Sequence, residues 1–215
     1  MNYFNLLFSN NSILRILQKE EFKKIKLSGS CLEFGANQKL SRNFLTSNSK
    51  NYNSIYSNID NKNKNFIKID LEKKTNHKKK YDNIIIFNVL EHLSDINLPL
   101  KNLNFLLKKK SRIFGSTPFI YRIHGAPSDY NRFTKDYLKI ALKKKKFINI
   151  EIKELGLGPF LACFSLLRGY LKFLPIIYQL LLILVIIFDK FLFFLMKTNP
   201  KIIYPIGYIF SAIKK

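Results

Sequence analysis

Four consecutive bulky residues, Ile84-Ile85-Ile86-Phe87, constrain this chain more than any other segment. A strand with one wet face alternates apolar and polar residues. An unbroken apolar run belongs instead to a strand covered on both faces, the habit of parallel sheets with helices above and below. The rest of the chain fits that reading. Residues 12–26 carry Ile13, Leu14, Ile16, Leu17, Phe22 and Ile25 at helical spacing behind a capping Asn11 or Ser12. Residues 30–34 form a short apolar run ending at Gly35, and 38–45 are expected to be the following helix. Strands are expected over 52–60 and 66–70, each ending in an acid (Asp60 and Asp70), and over 82–88. A helix over 97–108, a strand over 111–117 and a Thr134-capped helix over 134–145 follow. Residues 147–155 alternate Ile148, Ile150 and Ile152 with Asn149, Glu151 and Lys153, so a half-exposed strand is expected there.

Strands alternating with helices give an α/β fold with a mostly parallel sheet and helices on both faces. Ligands of such sheets bind beyond the carboxyl ends of the strands. That rule selects Gly35, Asp60, Asp70, the segment 88–92 and the loop 118–132, the polar, turn-prone parts of the chain. One link is tight. Residues 61–65 alone join the second and third strands, where a parallel crossover takes about a dozen residues. The third strand is therefore expected to be short and irregular, or one boundary to shift.

With 215 residues the chain has the length of one domain. Its 37 Lys and Arg against 14 Asp and Glu give a formal charge of +23, which suits nucleic acid or an anionic membrane surface. The Lys runs 78–80, 108–110 and 143–146 are expected in loops and helix ends, and no aromatic-interleaved basic stripe accompanies them. Nucleic acid is therefore disfavoured as a partner. Cys31 and Cys163 make no motif; both are expected to be buried, reduced thiols, which suits a cytoplasmic chain. The first eight residues lack the basic start and cleavage site of a secretory signal.

A nucleoside cofactor calls for a glycine turn that lets the backbone approach closely, and an acid after the next strand for ribose hydroxyls. Gly35 followed by Asp60 meets both needs. The string Leu32-Glu33-Phe34-Gly35-Ala36-Asn37-Gln38-Lys39 resembles motif I of class I S-adenosylmethionine-dependent methyltransferases. Residues 81–93, with Asn88-Val89-Leu90-Glu91-His92, resemble that family's fourth strand and its Leu-Glu-His signature. The loop His124-Gly125-Ala126-Pro127, Asp129-Tyr130, Arg132-Phe133-Thr134 looks like that of one subgroup, and residues 202–214 look like the family's last strand. The resemblance implies a Rossmann-like sheet, mostly parallel, with an antiparallel last strand. It also implies S-adenosylmethionine as cofactor. Glu33 and Gly35 would border its methionine part, Asp60 its ribose, Asp70 and Leu71 its adenine, and Asn88 its amino group. Asn37 departs from the family, which usually has a second glycine there; asparagine tolerates left-handed backbone better than most residues. His124 is the candidate base, with Glu91 and His92 as further catalytic candidates. The opposing reading makes His124, Asp129 and Arg132 a hydrogen-bonded brace for the loop. No residue is singled out as a metal ligand.

The apolar stretch 159–196 stands apart. Residues 173–188 are interrupted only by Pro175, Tyr178 and Gln179, close to the roughly 20 residues a spanning helix needs. If 202–214 return to the sheet, a single crossing would leave them on the wrong side of the membrane. A helical insertion lying in the interface is therefore expected, with a transmembrane anchor as the rival. The chain divides into an N-terminal helical segment (1–28), a methyltransferase domain (29–158 and 199–215) and this insertion (159–198). The function expected is methyl transfer to a small-molecule or lipid-linked acceptor, such as a quinone-like or cell-surface glycan precursor, at the inner face of the cell membrane. The rival function is an inactive methyltransferase-like protein serving in a membrane-bound assembly.

Overall fold

The computed structural model describes residues 3–37, 39, 42–47, 52–59, 66–125, 128–171 and 173–215. Among the described residues, six strands form one sheet: β1 (Gly29–Phe34), β2 (Tyr52–Ser57), β3 (Tyr81–Phe87), β4 (Leu107–Pro118), β5 (Phe147–Leu155) and β6 (Gly207–Lys214), in the order β2-β1-β3-β4-β6-β5. β1, β2, β3 and β4 pair in parallel, while β6 runs antiparallel to both β4 and β5. The Ile84-Ile85-Ile86 run of β3 is fully buried, as its unbroken apolarity requires.

Side chains alternate along β3 into two cores. Ile85 and Phe87 join a cluster built from α1 (Tyr3–Phe8), α2 (Ile13–Phe22), α5 (Pro159–Leu171) and α6 (Pro175–Leu195). Ile84 and Ile86 join another with α3 (Asn97–Leu106) and α4 (Lys135–Lys144). Helices thus cover both faces. Ser12 caps α2 by accepting from the Arg15 N–H, and Thr134 caps α4 by accepting from that of Tyr137. At Gly115 in β4 a Cβ would lie 2.0 Å from the Phe210 ring, so glycine is what lets β6 pack there.

Several expectations are corrected. In 38–45 the described residues make turns rather than a helix, with a 3-10 turn at Leu45–Ser47. Asn43 binds the backbone of Asn37 through both ends of its amide, and Thr46 bonds to the Asn43 carbonyl, so side chains compete for groups a helix would use. The 66–70 strand reduces to one parallel bridge, Ser57 to Ile67, because the link before it is too short for a crossover. The start of the expected last strand is instead a helical turn, α7 (Pro200–Ile203), capped by Asn199 with Pro200 at its first position. Lys108 to Lys110 lie on β4, not in a loop, and Ile148 is exposed beside a bulge at which Asn149 adopts φ 48°. Cys31 is buried, but Cys163 is exposed on α5.

Candidate active site

Two cavities open beyond the carboxyl ends of β1, β2 and β3, and Gly35 lines both. One, of about 440 Å³, is walled by Phe34, Ile69, Leu71 and Val89, with Ser57, Asn58, Asp70, Asn88 and His92 as its polar members. The other, of about 580 Å³, is polar: Ser12, Arg15, Glu33, Asn37, Arg42 and Asn43 face it. Gly35 has φ +66°, and a Cβ there would fall 2.5 Å from Val89 Cγ2. Only glycine takes that backbone without strain while leaving the space open.

The sequence-derived residues fall as follows. Gly35, Asp70, Leu71 and Asn88 converge on the smaller cavity; Glu33 and Asn37 line the larger one. Asp60 lies outside the described residues. Asn37 is not among the residues with left-handed backbone, so the tolerance invoked for it is not called upon. Asn88 is, with φ 56° at the end of β3. The carbonyl of Leu71 accepts from Asn102 Nδ2 at 2.8 Å, and Asp70 Oδ1 accepts from the Glu72 N–H at 3.0 Å.

Glu33 is buried, and both its oxygens are engaged: Oε1 accepts from the Phe44 N–H at 2.8 Å and Oε2 from the Leu45 N–H at 2.9 Å. Burial pushes its carboxyl up to about 7, although those two bonds and nearby Arg15 and Lys19 oppose the shift. It therefore holds the 44–45 turn that walls the larger cavity.

Two residues escaped the sequence reading. Arg15 reaches from α2 over the Phe44 ring, 4.6 Å from its centroid, and lines the larger cavity. Gln18, one turn on and fully buried, exchanges amide bonds with Asn88 at 2.6 and 3.0 Å and donates to Ser116 Oγ at 2.8 Å. The signal was present in the sequence. Arg15 and Gln18 interrupt the apolar run of α2 at a helical i, i+3 interval, a polar pair on its inward side.

The second constellation lies where the 3-10 turn Leu90–His92 meets the loop after β4. Glu91 has a fully buried side chain, and neither of its oxygens has a hydrogen-bond partner among the described residues. Its Oε1 is 3.9 Å from His92 Nε2 and 4.0 Å from His124 Nε2. Burial pushes its carboxyl up to about 8. The Glu91 carbonyl accepts from the Tyr130 and Asn131 N–H groups, tying the loop down. The two imidazoles meet edge to face, 5.0 Å between centroids. Asp129 accepts from the His124 backbone N–H at 2.9 Å and is gripped by both terminal nitrogens of Arg132. His124 Nδ1 lies 3.2 Å from Asp129 Oδ2, without the alignment of a hydrogen bond. Asp129 and Arg132 hold the loop, and the His124 ring faces Glu91.

A profile of the methyltransferase-domain family matches residues 9–147. No curated protein sequence matches this chain. Among solved structures, an S-adenosylmethionine-dependent methyltransferase from Archaeoglobus fulgidus superposes with TM-score 0.58 at 16% identity, covering 98% of each chain. A Listeria monocytogenes structure described as a putative methyltransferase of the same kind gives 0.57 at 12% identity over 94% of this chain and 99% of that one. The phosphoethanolamine N-methyltransferase 2 of Haemonchus contortus, in complex with phosphomonomethylethanolamine and S-adenosylhomocysteine, gives 0.57 at 13% identity. That alignment covers 98% of this chain, which spans only 56% of the nematode one. At such identities the likenesses speak for the fold.

Proposed function

Because this chain belongs to the methyltransferase-domain family, whose profile covers residues 9–147, we propose that it transfers a methyl group from S-adenosylmethionine to a small-molecule acceptor at the cytoplasmic face of a membrane. The acceptor class that fits such a place is a lipid-linked, quinone-like or cell-surface glycan precursor. The observation that carries the transfer reading is the pair of cavities meeting at Gly35, one with apolar walls and one polar. The cofactor suits this pair. Ile69, Leu71 and Val89 offer walls for a flat base, with Asp70 at their edge. Arg15 offers a cation for a carboxylate in the polar half. The sequence resemblance gives the ribose hydroxyls to Asp60, which lies outside the described residues. Bound there, the cofactor supplies an electrophilic sulfonium methyl. The chain's own work is to align the acceptor and, where the acceptor carries a proton, to remove it. His124 is the group for that: burial holds it below the ordinary histidine range, leaving a neutral ring.

The membrane reading rests on α5 and α6. At 21 residues α6 would be about 32 Å long, enough to cross a bilayer. Yet Tyr178, Leu182, Ile186 and Asp189, strung along its length, are buried against the domain. Tyr178 Oη faces the Leu6 carbonyl at 3.4 Å, and Asp189 accepts from the Phe160 and Leu161 N–H groups at 3.0 and 2.9 Å. A crossing would drag α1 and the start of α5 into hydrocarbon. The outer face exposes Ile176, Ile183, Ile187, Phe191 and Phe194, with Lys190 and Lys197 beside them. Such a helix lies flat, apolar side in the acyl boundary and cations toward anionic headgroups.

Calorimetry with S-adenosylhomocysteine tests the first half. Wild-type protein should bind it, and Asp70→Ala and Arg15→Ala should each weaken binding. No binding by a folded wild type would remove the methyl-transfer reading. Flotation with vesicles of mixed zwitterionic and anionic phospholipid tests the second half; protein remaining with the soluble fraction would count against it.

A further inference from the structure

We infer that Glu91, His92 and His124 form a binding site for a divalent transition-metal ion, with zinc the best-matched probe. Each offers one ligand atom, and the three atoms lie within 4.8 Å of one another. Two neutral nitrogens and one carboxylate oxygen are a donor set for such ions, and three protein ligands leave a position open. Bonds of about 2.0–2.1 Å at a tetrahedral angle put ligand atoms roughly 3.4 Å apart, so the observed 3.9 and 4.0 Å need closing by about half an ångström, and the two imidazole nitrogens, within 4.8 Å of each other, by up to about 1.4 Å.

Two further features single this cluster out from chance. Glu91 is fully buried with both oxygens unpartnered among the described residues, and one of them faces the two imidazoles. An ionised carboxylate in that position calls for a compensating charge, and a cation would provide one. His92 is also oriented from behind. Its Nδ1 contacts the Ser128 carbonyl, which fixes that nitrogen as the N–H and leaves Nε2 its lone pair. An outer partner of this kind orients a metal-binding imidazole. His124 Nδ1 lies 3.2 Å from Asp129 without the alignment of a hydrogen bond. The cationic neighbour, Arg132, is already paired with Asp129.

The inference rests on the proposed function for the presence of an acceptor beside the loop, and it replaces the role of free base given there to His124. In the ion-loaded protein His124 is a ligand. An acceptor hydroxyl taking the open position would lose its proton to solvent rather than to a free imidazole.

Titration of the full chain with zinc chloride by calorimetry tests the site, with S-adenosylhomocysteine binding measured in parallel. Wild type should take up one equivalent with micromolar or tighter affinity. Glu91→Gln and His124→Gln should each weaken it at least about tenfold, while His77→Gln, away from the cluster, should not. All four proteins should bind S-adenosylhomocysteine alike. No saturable zinc uptake, or uptake unchanged in both variants, would overturn the inference and leave methyl transfer standing. If Glu91→Gln fails to fold, His124→Gln decides alone, since that ring is 30% exposed. Zinc uptake without S-adenosylhomocysteine binding would count against the proposed function instead.

Discussion

Helices α4 and α6 each bury one narrow stripe and expose the rest, yet their outer faces are opposites. In α4 the stripe is Leu138, Ala141 and Leu142, and the outside is mostly charge: Lys135, Asp136, Lys139, Lys143 and Lys144, with Tyr137 and Ile140 between them. In α6 the stripe is Tyr178, Leu182, Ile186 and Asp189, and the outside is Ile, Leu and Phe almost throughout. The inner faces obey one rule, packing against protein. Under the proposed membrane placement, the outer faces would meet two solvents. An amphipathic helix records water by its polar side; α6 turns Asp189 inward and carries Lys190 as the exposed charge on an otherwise apolar outside. Its apolar side is far larger than the scattered patches a soluble surface carries.

The comparison can be broken most forcefully on that outer side. Changing Ile183, Ile187 and Phe191 together to Glu should lower vesicle partitioning by more than about a hundredfold, since each buried apolar side chain contributes roughly 1.5–3 kcal/mol. The melting temperature should barely move. Lys139→Glu on α4 should leave partitioning unchanged. If the triple variant still floats with vesicles, the two outer faces do not differ in solvent.

The inner stripes should respond alike. Leu182→Ala and Leu138→Ala should each cost roughly 2–5 kcal/mol in denaturant unfolding, because both side chains are buried. A negligible cost at Leu182 alone would mean that α6 is not packed on the domain, and would revive a spanning helix. Next in size is Asp189→Ala, which strips two backbone N–H groups of their acceptor and should cost about 1–3 kcal/mol. Its counterpart on α4, Thr134→Ala, removes one cap bond and should cost about 1 kcal/mol.

A pH-dependent effect concerns Glu33, on the α2 side of the sheet. Its folded carboxyl lies at about 7 against a model-compound value of 4.5, so the folded chain holds the proton more tightly than the unfolded one. Stability from this group is present at low pH and declines as pH rises from 4.5 to about 7. Glu33→Gln should flatten that part of a stability–pH curve. An unchanged slope would mean that Glu33 is not the group responsible.

Much of the fold was legible because its signals are local. The unbroken Ile84-Ile85-Ile86 run told of a doubly covered strand, and Ser12 and Thr134 marked helix starts that they do cap. Gly35 was legible as a tight turn after β1, and its φ of +66° is what such a turn requires. Errors arose where side chains compete with backbone. Asn43 and Thr46 bind main-chain groups, so the described residues of 38–45 make turns in place of the expected helix, and Pro200 turns the approach to β6 into a helical turn. Arg15 and Gln18 were overlooked because an apolar stripe averages away the polar residues inside it, although these two face the site or its neighbour Asn88.

By itself the sequence determined the α/β class, the glycine turn, the loop motif from His124 to Thr134 and the existence of an apolar insertion. Each depends on residue type at short spacing, which periodicity and steric rules read directly. Tertiary structure decided what distance in the chain conceals. It brought Glu91 and His124, 33 positions apart, to 4.0 Å, and left a buried carboxylate facing two imidazoles. It tied Asp189 to the start of α5, turning a segment long enough to span a bilayer into one held along its length by its own domain. Burial and pairing belong to contacts between remote segments, and no local pattern encodes which partner a charged side chain will meet.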